Sequence, residues 1–298
     1  MYPRPFHYHR AGSLEEAVAL LAQLGEEAKL LAGGQSLIPL MKLRLASPAH
    51  LVDLNFINNL SYVKEDGGDL RFGALARHAD IEASSAAQRV PLLHDCAAGI
   101  ADVQVRNRGT IGGSLAEADP SGDWAVALLT LSTQVVCLSP TGERGVPLGE
   151  FITDAYTTVL SPSELVREIV VQAPPSRSGG AFLALKRAPP VYATASAAVQ
   201  VTLADDDTCS EIGIALGAVG LTPIKATDAA AELRGKQLTP EAIARAVEAA
   251  RTMADPQTDM RGSADYKRHV IGALVERALG TAVRRARGEA VEGGHLYA

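Results

Sequence analysis

Two short glycine-bearing stretches carry the residue types best suited to chemistry in this chain. Leu30-Leu31-Ala32-Gly33-Gly34-Gln35-Ser36-Leu37 is an apolar run that stops at a glycine pair and a hydroxyl. Gly109-Thr110-Ile111-Gly112-Gly113-Ser114 repeats that pattern further along. Glycine has no Cβ, so its backbone N–H comes close to a ligand and it reaches positive φ cheaply. Successive N–H groups in such turns form concave anion sites. Paired glycines also make ordinary tight turns, so either stretch alone supports both readings; together they could grip one pyrophosphate from two sides. Neither fits G-x-G-x-x-G, nor G-x-x-x-x-G-K followed by Ser or Thr, which argues against a Rossmann or P-loop site. Valine at Gly33 or Gly112 is predicted to fill the space of the phosphate oxygens and to resist positive φ. A third candidate is Asp123, at the end of Asp119-Pro120-Ser121-Gly122-Asp123 and just before the apolar helical run Trp124–Leu131. Acids in a first helical turn are ordinary dipole chemistry; the alternative is a carboxylate that accepts hydrogen bonds from sugar hydroxyls.

Other chemistries lack their residues. Cys96, Cys137 and Cys209 are far apart, odd in number and free of any C-x-x-C. That suits thiols in a reducing compartment, with no disulfide framework, structural zinc or iron–sulfur cluster on this chain. The seven histidines include no H-E-x-x-H, and no metal ligand or catalytic base is assigned. Twenty-eight basic against 34 acidic residues give a net charge of −6, with no basic block to follow a nucleic-acid backbone. No apolar run is long enough for membrane insertion and no signal segment opens the sequence, so a cytoplasmic location is expected.

The elements that must position these residues read as follows. Ser13-Leu14-Glu15-Glu16 is a capping-box pattern opening a helix that Gly25 ends. Ala28–Ala32 is a short buried strand, so the first glycine turn sits at a strand end, where ligands collect in open α/β sheets. Two strands flank the hairpin turn Asp66-Gly67-Gly68. Helices follow around 79–87 and 91–101, then strands at 134–138 and 165–172, and Pro174–Gly180 has the composition of a linker. Beyond it, apolar runs at 193–203 and 212–219 flank an acidic turn, and helices are expected at 227–233, 240–253 and 264–287. The alanine-rich helices suggest packing on a three-stranded sheet, giving an α+β third unit. The tail after Gly288 is the one disordered candidate. The divisions are 1–57, 58–175, 176–288 and a tail, 289–298.

Taken in order, Pro5-Phe6-x-Tyr8-His9-Arg10, Ser13-Leu14-Glu15-Glu16-Ala17, both glycine turns, Asp119–Asp123, Lys186-Arg187, Tyr192-Ala193-Thr194-Ala195 and Arg261–Arg268 resemble one family over essentially the whole chain. It is the FAD-binding, medium subunit of molybdenum hydroxylases, the carbon monoxide and xanthine dehydrogenase flavoproteins. The resemblance implies a vanillyl-alcohol-oxidase-type two-part FAD-binding domain, followed by a C-terminal three-stranded antiparallel sheet with a helical bundle. It implies that the two turns hold the FAD pyrophosphate with backbone N–H groups and the Ser36, Thr110 and Ser114 hydroxyls, and that Asp123 binds ribose. Lys186 would lie near the nucleotide part of FAD and Tyr192 near the isoalloxazine. Leu30, Leu31, Ile100 and Val166 would put apolar atoms against the cofactor. It further implies a large molybdopterin subunit, a small subunit with [2Fe–2S] clusters, and a dimer of heterotrimers. One departure is Val191, where relatives commonly carry Asp before the Tyr-Ala pair; this bears on the electron acceptor. A self-sufficient FAD oxidoreductase and a scaffold that has lost FAD are the competing readings.

Overall fold

The computed structural model describes residues 2–293 and 296–297. Its first unit is a small parallel sheet in the order β1-β3-β2, from β1 (His7–Arg10), β2 (Ala28–Leu31) and β3 (His50–Asp53). Helix α1 (Leu14–Leu24) covers it, and Ala17, Val18 and Leu21 meet Val52 and Leu54 in a first core. The cap is the one the sequence specifies: Ser13 Oγ accepts from Glu16 N at 3.1 Å while Glu16 Oε2 accepts from Gly12 N at 2.7 Å. A second short helix, α2 (Leu37–Leu43), grows directly out of the first glycine turn.

The second unit is a five-stranded antiparallel sheet, β4-β5-β10-β6-β7. Its strands are β4 (Val63–Asp66), β5 (Asp69–Gly73), β6 (Thr133–Ser139), β7 (Gly142–Pro147) and β10 (Leu165–Gln172). A two-stranded hairpin, β8 (Ile152–Asp154) with β9 (Thr157–Thr158), lies between. The helices are α3 (His78–Glu82), α4 (Ser85–Arg89), α5 (Pro91–Gly99), α6 (Val103–Arg106), α7 (Ile111–Glu117), α8 (Asp123–Leu129) and α9 (Leu148–Phe151). The single helix expected over 79–87 is two, because Ser84 stops α3 and its Oγ accepts from Ala87 N to cap α4.

The third unit is built on β11 (Ser178–Lys186), β12 (Ala195–Leu203) and β13 (Cys209–Gly217), the expected three long antiparallel strands. Two-residue strands extend both edges: β14 (Ile224–Lys225), and β15 (Leu296–Tyr297), which runs parallel to β11. Alternation along the strands divides the sheet's faces. Phe182, Ala184, Ala198 and Ala215 enter the second core beside Trp124 and Leu92. Ala181, Leu183, Ala197 and Val199 enter a third core with α10 (Thr227–Ala231), α11 (Pro240–Met253) and α12 (Ala264–Ala286).

Two expectations change here. Pro174–Gly180 is a shorter connection than its composition suggests, since β11 begins at Ser178. A Cβ on Gly179 would stand 2.2 Å from Ala282 O and 2.4 Å from Ala286 N, so this glycine lets α12 lie directly on the strand. The tail, expected disordered, is tied down where it is described. Arg285 Nη2 donates to Val291 O at 2.8 Å, and Arg285 Nη1 reaches both Asp95 Oδ2 on α5 and Gly180 O at 2.6 Å. Gly294, His295 and Ala298 lie outside the described residues. Among the described residues no helix is long and apolar enough to cross a membrane, and no group of His, Cys, Asp or Glu is placed to hold a metal ion.

Candidate functional site

The two glycine turns meet. The first leaves β2 at Leu31 and enters α2; the second leads into α7. A Cβ on Gly33 would lie 2.3 Å from Arg108 O and 2.7 Å from Gly109 Cα, so the backbones of the two stretches are in contact. Of the glycines in these turns only Gly34 has positive φ, at 74°, and Leu31 and Ile38 pack beneath it. Leu30 points the other way, into the first core, as alternation along a strand requires.

The turns differ in what they offer. Among the described residues, the N–H groups of Gly33, Gly34, Gln35 and Ser36 donate to nothing, and the Ser36 hydroxyl makes no capping bond. In the second turn the amides are already used: Ile111 N donates to Ala76 O, Gly112 N to Ala74 O, Gly113 N to Thr110 Oγ1 and Ser114 N to Thr110 O, at 3.0–3.1 Å. The expectation of amide donors from both sides is therefore revised. The first turn presents N–H groups, and the second presents the Thr110 and Ser114 hydroxyls on a rigid helix start. Gly112 is glycine because α7 closes on Ala74, 2.7 Å from where a Cβ would stand; neither it nor Gly33 needs positive φ.

Asp123 and Lys186, far apart in sequence, form one buried pair. Lys186 Nζ donates to Asp123 Oδ2 at 2.9 Å and to Gly99 O at 2.7 Å, with the two side chains 3% and 7% exposed. Asp123 Oδ1 is buried and has no hydrogen-bond partner among the described residues. A buried carboxylate oxygen left without a donor is costly, and such an atom has the capacity to accept from a hydroxyl. The bond to Gly99 O also fixes the loop that carries Ile100, whose own carbonyl accepts from Arg106 Nη1 at 3.1 Å. Val166, on β10, packs in the second core with Ile111 and Leu115 of α7.

Several supporting residues carried no sequence signal. Asn55 Nδ2 donates to Ala32 O at 2.8 Å, Arg77 Nη2 donates to Asn55 Oδ1 at 2.6 Å, and Arg77 Nη1 donates to Arg108 O. His78 lies under the second turn, its Nε2 2.5 Å from where a Gly109 Cβ would be. Its Nδ1 accepts from Trp124 Nε1 at 2.9 Å, so the proton of the neutral ring is on Nε2. Burial, then the charges of Arg77 and Arg106, lowers its pKa to about 4.

Against this geometry, the FAD binding domain of molybdopterin dehydrogenase matches residues 4–174 and the CO dehydrogenase flavoprotein C-terminal domain matches residues 180–282. The chain belongs to the molybdenum hydroxylase flavoprotein family. The carbon monoxide dehydrogenase medium chain of Hydrogenophaga pseudoflava is 43% identical over 96% of this chain and 99% of its own length. The 6-hydroxypseudooxynicotine dehydrogenase complex subunit alpha of Paenarthrobacter nicotinovorans is 41% identical, covering 96% and 97%. Among solved structures, carbon monoxide dehydrogenase from H. pseudoflava superposes with a TM-score of 0.93 at 44% identity, over 96% of this chain and 99% of that one. Quinoline 2-oxidoreductase from Pseudomonas putida 86 does so at 0.90 and 32%, over 96% and 99%.

The chain is thus an FAD-binding subunit of an oxidoreductase, and its site fits the family's cofactor. Free amides in the first turn suit phosphate oxygens, and the unsatisfied Asp123 Oδ1 suits a sugar hydroxyl. Tyr192 is half-exposed beside a cavity of about 620 Å³ lined also by Pro190, Val191, Met260, Arg187 and Arg261. Arg261 holds this corner, donating to Ser121 Oγ at 2.7 Å and Ala193 O at 3.2 Å with its guanidinium 5.9 Å from the Tyr192 ring centre. Burial and the Asp119 carboxylate push the Tyr192 hydroxyl well above its ordinary pKa. Asp119 Oδ2 also accepts from Tyr156 OH at 3.3 Å. Position 191 is valine, so the carboxylate charge acting on Tyr192 comes from Asp119.

Proposed function

We propose that this chain is the electron-transfer flavoprotein of a cytoplasmic three-component hydroxylase. In this reading a large partner oxidises substrate at a molybdopterin, a small partner relays electrons through [2Fe–2S] clusters, and the FAD held here passes them to an external acceptor, the whole assembling as a dimer of heterotrimers. The observation that carries it is coverage: the chain and relatives named as medium chains or subunits of dehydrogenases match over nearly their full lengths. Three free buried cysteines suit a reducing compartment.

When bound, FAD supplies an acceptor of electron pairs that also releases electrons singly. The side chains of this protein bind and orient. Amides of Gly33–Ser36 take phosphate oxygens, with the Ser36, Thr110 and Ser114 hydroxyls closing round them. Asp123 Oδ1 accepts a ribose hydroxyl while Lys186 neutralises the other oxygen and steadies Gly99-Ile100. Tyr192 lies near the isoalloxazine. Residues 1–57 and 58–175 form the two halves of the binding domain, and 176–288 cover it.

Purification of the untagged native protein tests this. It should bring down two further chains together with molybdenum and iron, and the flavin of the complex should be reduced by the large partner's substrate. A chain that runs alone, without metal, and reduces its flavin with a small substrate of its own overturns the proposal.

A further inference from the structure

Contact between the glycine turns joins the first unit to the second, and one side chain links them, bonded directly to the backbone beside the second turn and through Asn55 to the first. The backbone around Arg77 is paired with the second turn: Arg77 and Thr110 form an antiparallel bridge, with His78 N donating to Gly109 O at 3.2 Å and Ile111 N to Ala76 O at 3.1 Å. The Arg77 guanidinium then spans outward. One nitrogen donates to Arg108 O in the second segment, and the other donates to Asn55 Oδ1, whose amide in turn donates to Ala32 O in the first. Asn55 is itself fixed, since its Nδ2 also donates to Asp53 Oδ1 at 2.6 Å and its backbone N–H reaches the same oxygen at 2.8 Å. A planar guanidinium makes divergent bonds in fixed directions, which a lysine ammonium does not. The charges around Arg77 are Arg108, Asp80 and Asp53, so two carboxylates balance the two guanidinium groups and what Arg77 contributes to the turns is its bonding geometry.

We propose that Arg77 is a positioning residue for the cofactor diphosphate: through Asn55 it sets the separation of the two turns. This rests on the FAD site assigned above. A pyrophosphate gripped between two separate pieces of backbone is bound well only if the pieces are held at the right spacing before it arrives.

The test uses the full-length chain stripped of FAD, with affinity read from flavin fluorescence on re-addition, for wild type, Arg77→Met, Arg77→Lys, Asn55→Ala and the double variant Asn55→Ala/Arg77→Met. Each single change is expected to weaken FAD tenfold or more, and the double variant to be no weaker than the worse single one, because both cut the same relay. Arg77→Lys, which keeps the charge but cannot reach both acceptors, should recover only part of the loss. Competition by ADP should weaken in step, while competition by riboflavin, which lacks the diphosphate, stays unchanged; general loosening of the fold would weaken both. If Arg77→Met does not fold, Asn55→Ala alone must still lower the FAD and ADP affinities. Wild type that fails to take up FAD overturns the underlying site. Wild type that binds FAD while the variants keep their FAD and ADP affinities, or lose them additively, overturns the role of Arg77.

Discussion

Burial decides what Asp123 can do. An exposed acid at a helix start would merely complement the dipole, by roughly 0.3–1 kcal/mol; this one is inside, with a lysine on one oxygen and nothing on the other. Asp123→Ala is therefore expected to act twice. FAD affinity should fall by about 1–3 kcal/mol, the range for losing a charge-assisted hydrogen bond. The cofactor-free protein should also lose about 3–5 kcal/mol, because Lys186 is left charged and buried. Urea unfolding of the FAD-free chain separates the two effects, and unchanged stability would deny the pair. His78 makes a second prediction at this scale. Its folded pKa of about 4 lies below the ordinary 6.5, so the unfolded chain binds the proton first. The stability from its neutral state is full above pH 6.5 and drains as pH falls towards 4. By pH 5 that loss is about 2 kcal/mol. Wild type should lose that much more than His78→Gln between pH 7 and pH 5 by urea midpoint; parallel losses would show that the imidazole is not held neutral.

At the scale of elements, close approach explains what composition hid. Gly179 reads as a linker residue until α12 is seen lying 2.2 Å from where its Cβ would be. Gly179→Val should force the helix off the strand and lower stability by about 1–3 kcal/mol or more, visible in a thermal melt; a variant that melts with wild type would mean the helix has room. The elements with strong local signals were legible: the capped α1, the Gly67-Gly68 hairpin, β12 and β13 of the last sheet, and α11 and α12, whereas β11 begins inside the stretch read as a linker. The short α2, the β8–β9 hairpin and the two-residue edge strands were not, since pieces this small are defined by what they pack against. The site divides the same way. Glycine turns and Asp123 announce themselves by residue type, whereas Asn55, Arg77 and His78 matter only through partners brought close by folding. Two of the spent amides of the second turn, those of Ile111 and Gly112, could not be read from sequence, because their acceptors, Ala76 and Ala74, are contributed by a distant segment; the other two bond locally to Thr110.

The whole molecule is joined by a sheet with two owners. One face of β11–β13 belongs to the core of the second unit and the other to the C-terminal helices, so the two cores share the same three strands. The sequence contains one tryptophan, Trp124, and it lies in the second core. Its emission and the far-ultraviolet signal of the C-terminal helices should therefore change at one midpoint; two separated transitions would show that the units unfold independently. The first turn is mounted differently. It rides on a small three-stranded sheet whose core is completed by Leu60, Leu75 and Leu165 of the second unit, and its backbone meets that unit where Gly33 lies against Arg108. For a ligand lying between them, escape would be a matter of timing as much as of grip: its residence time would follow how often that shared core opens. Partner chains seated across that seam would then lengthen the cofactor's lifetime without touching the cofactor.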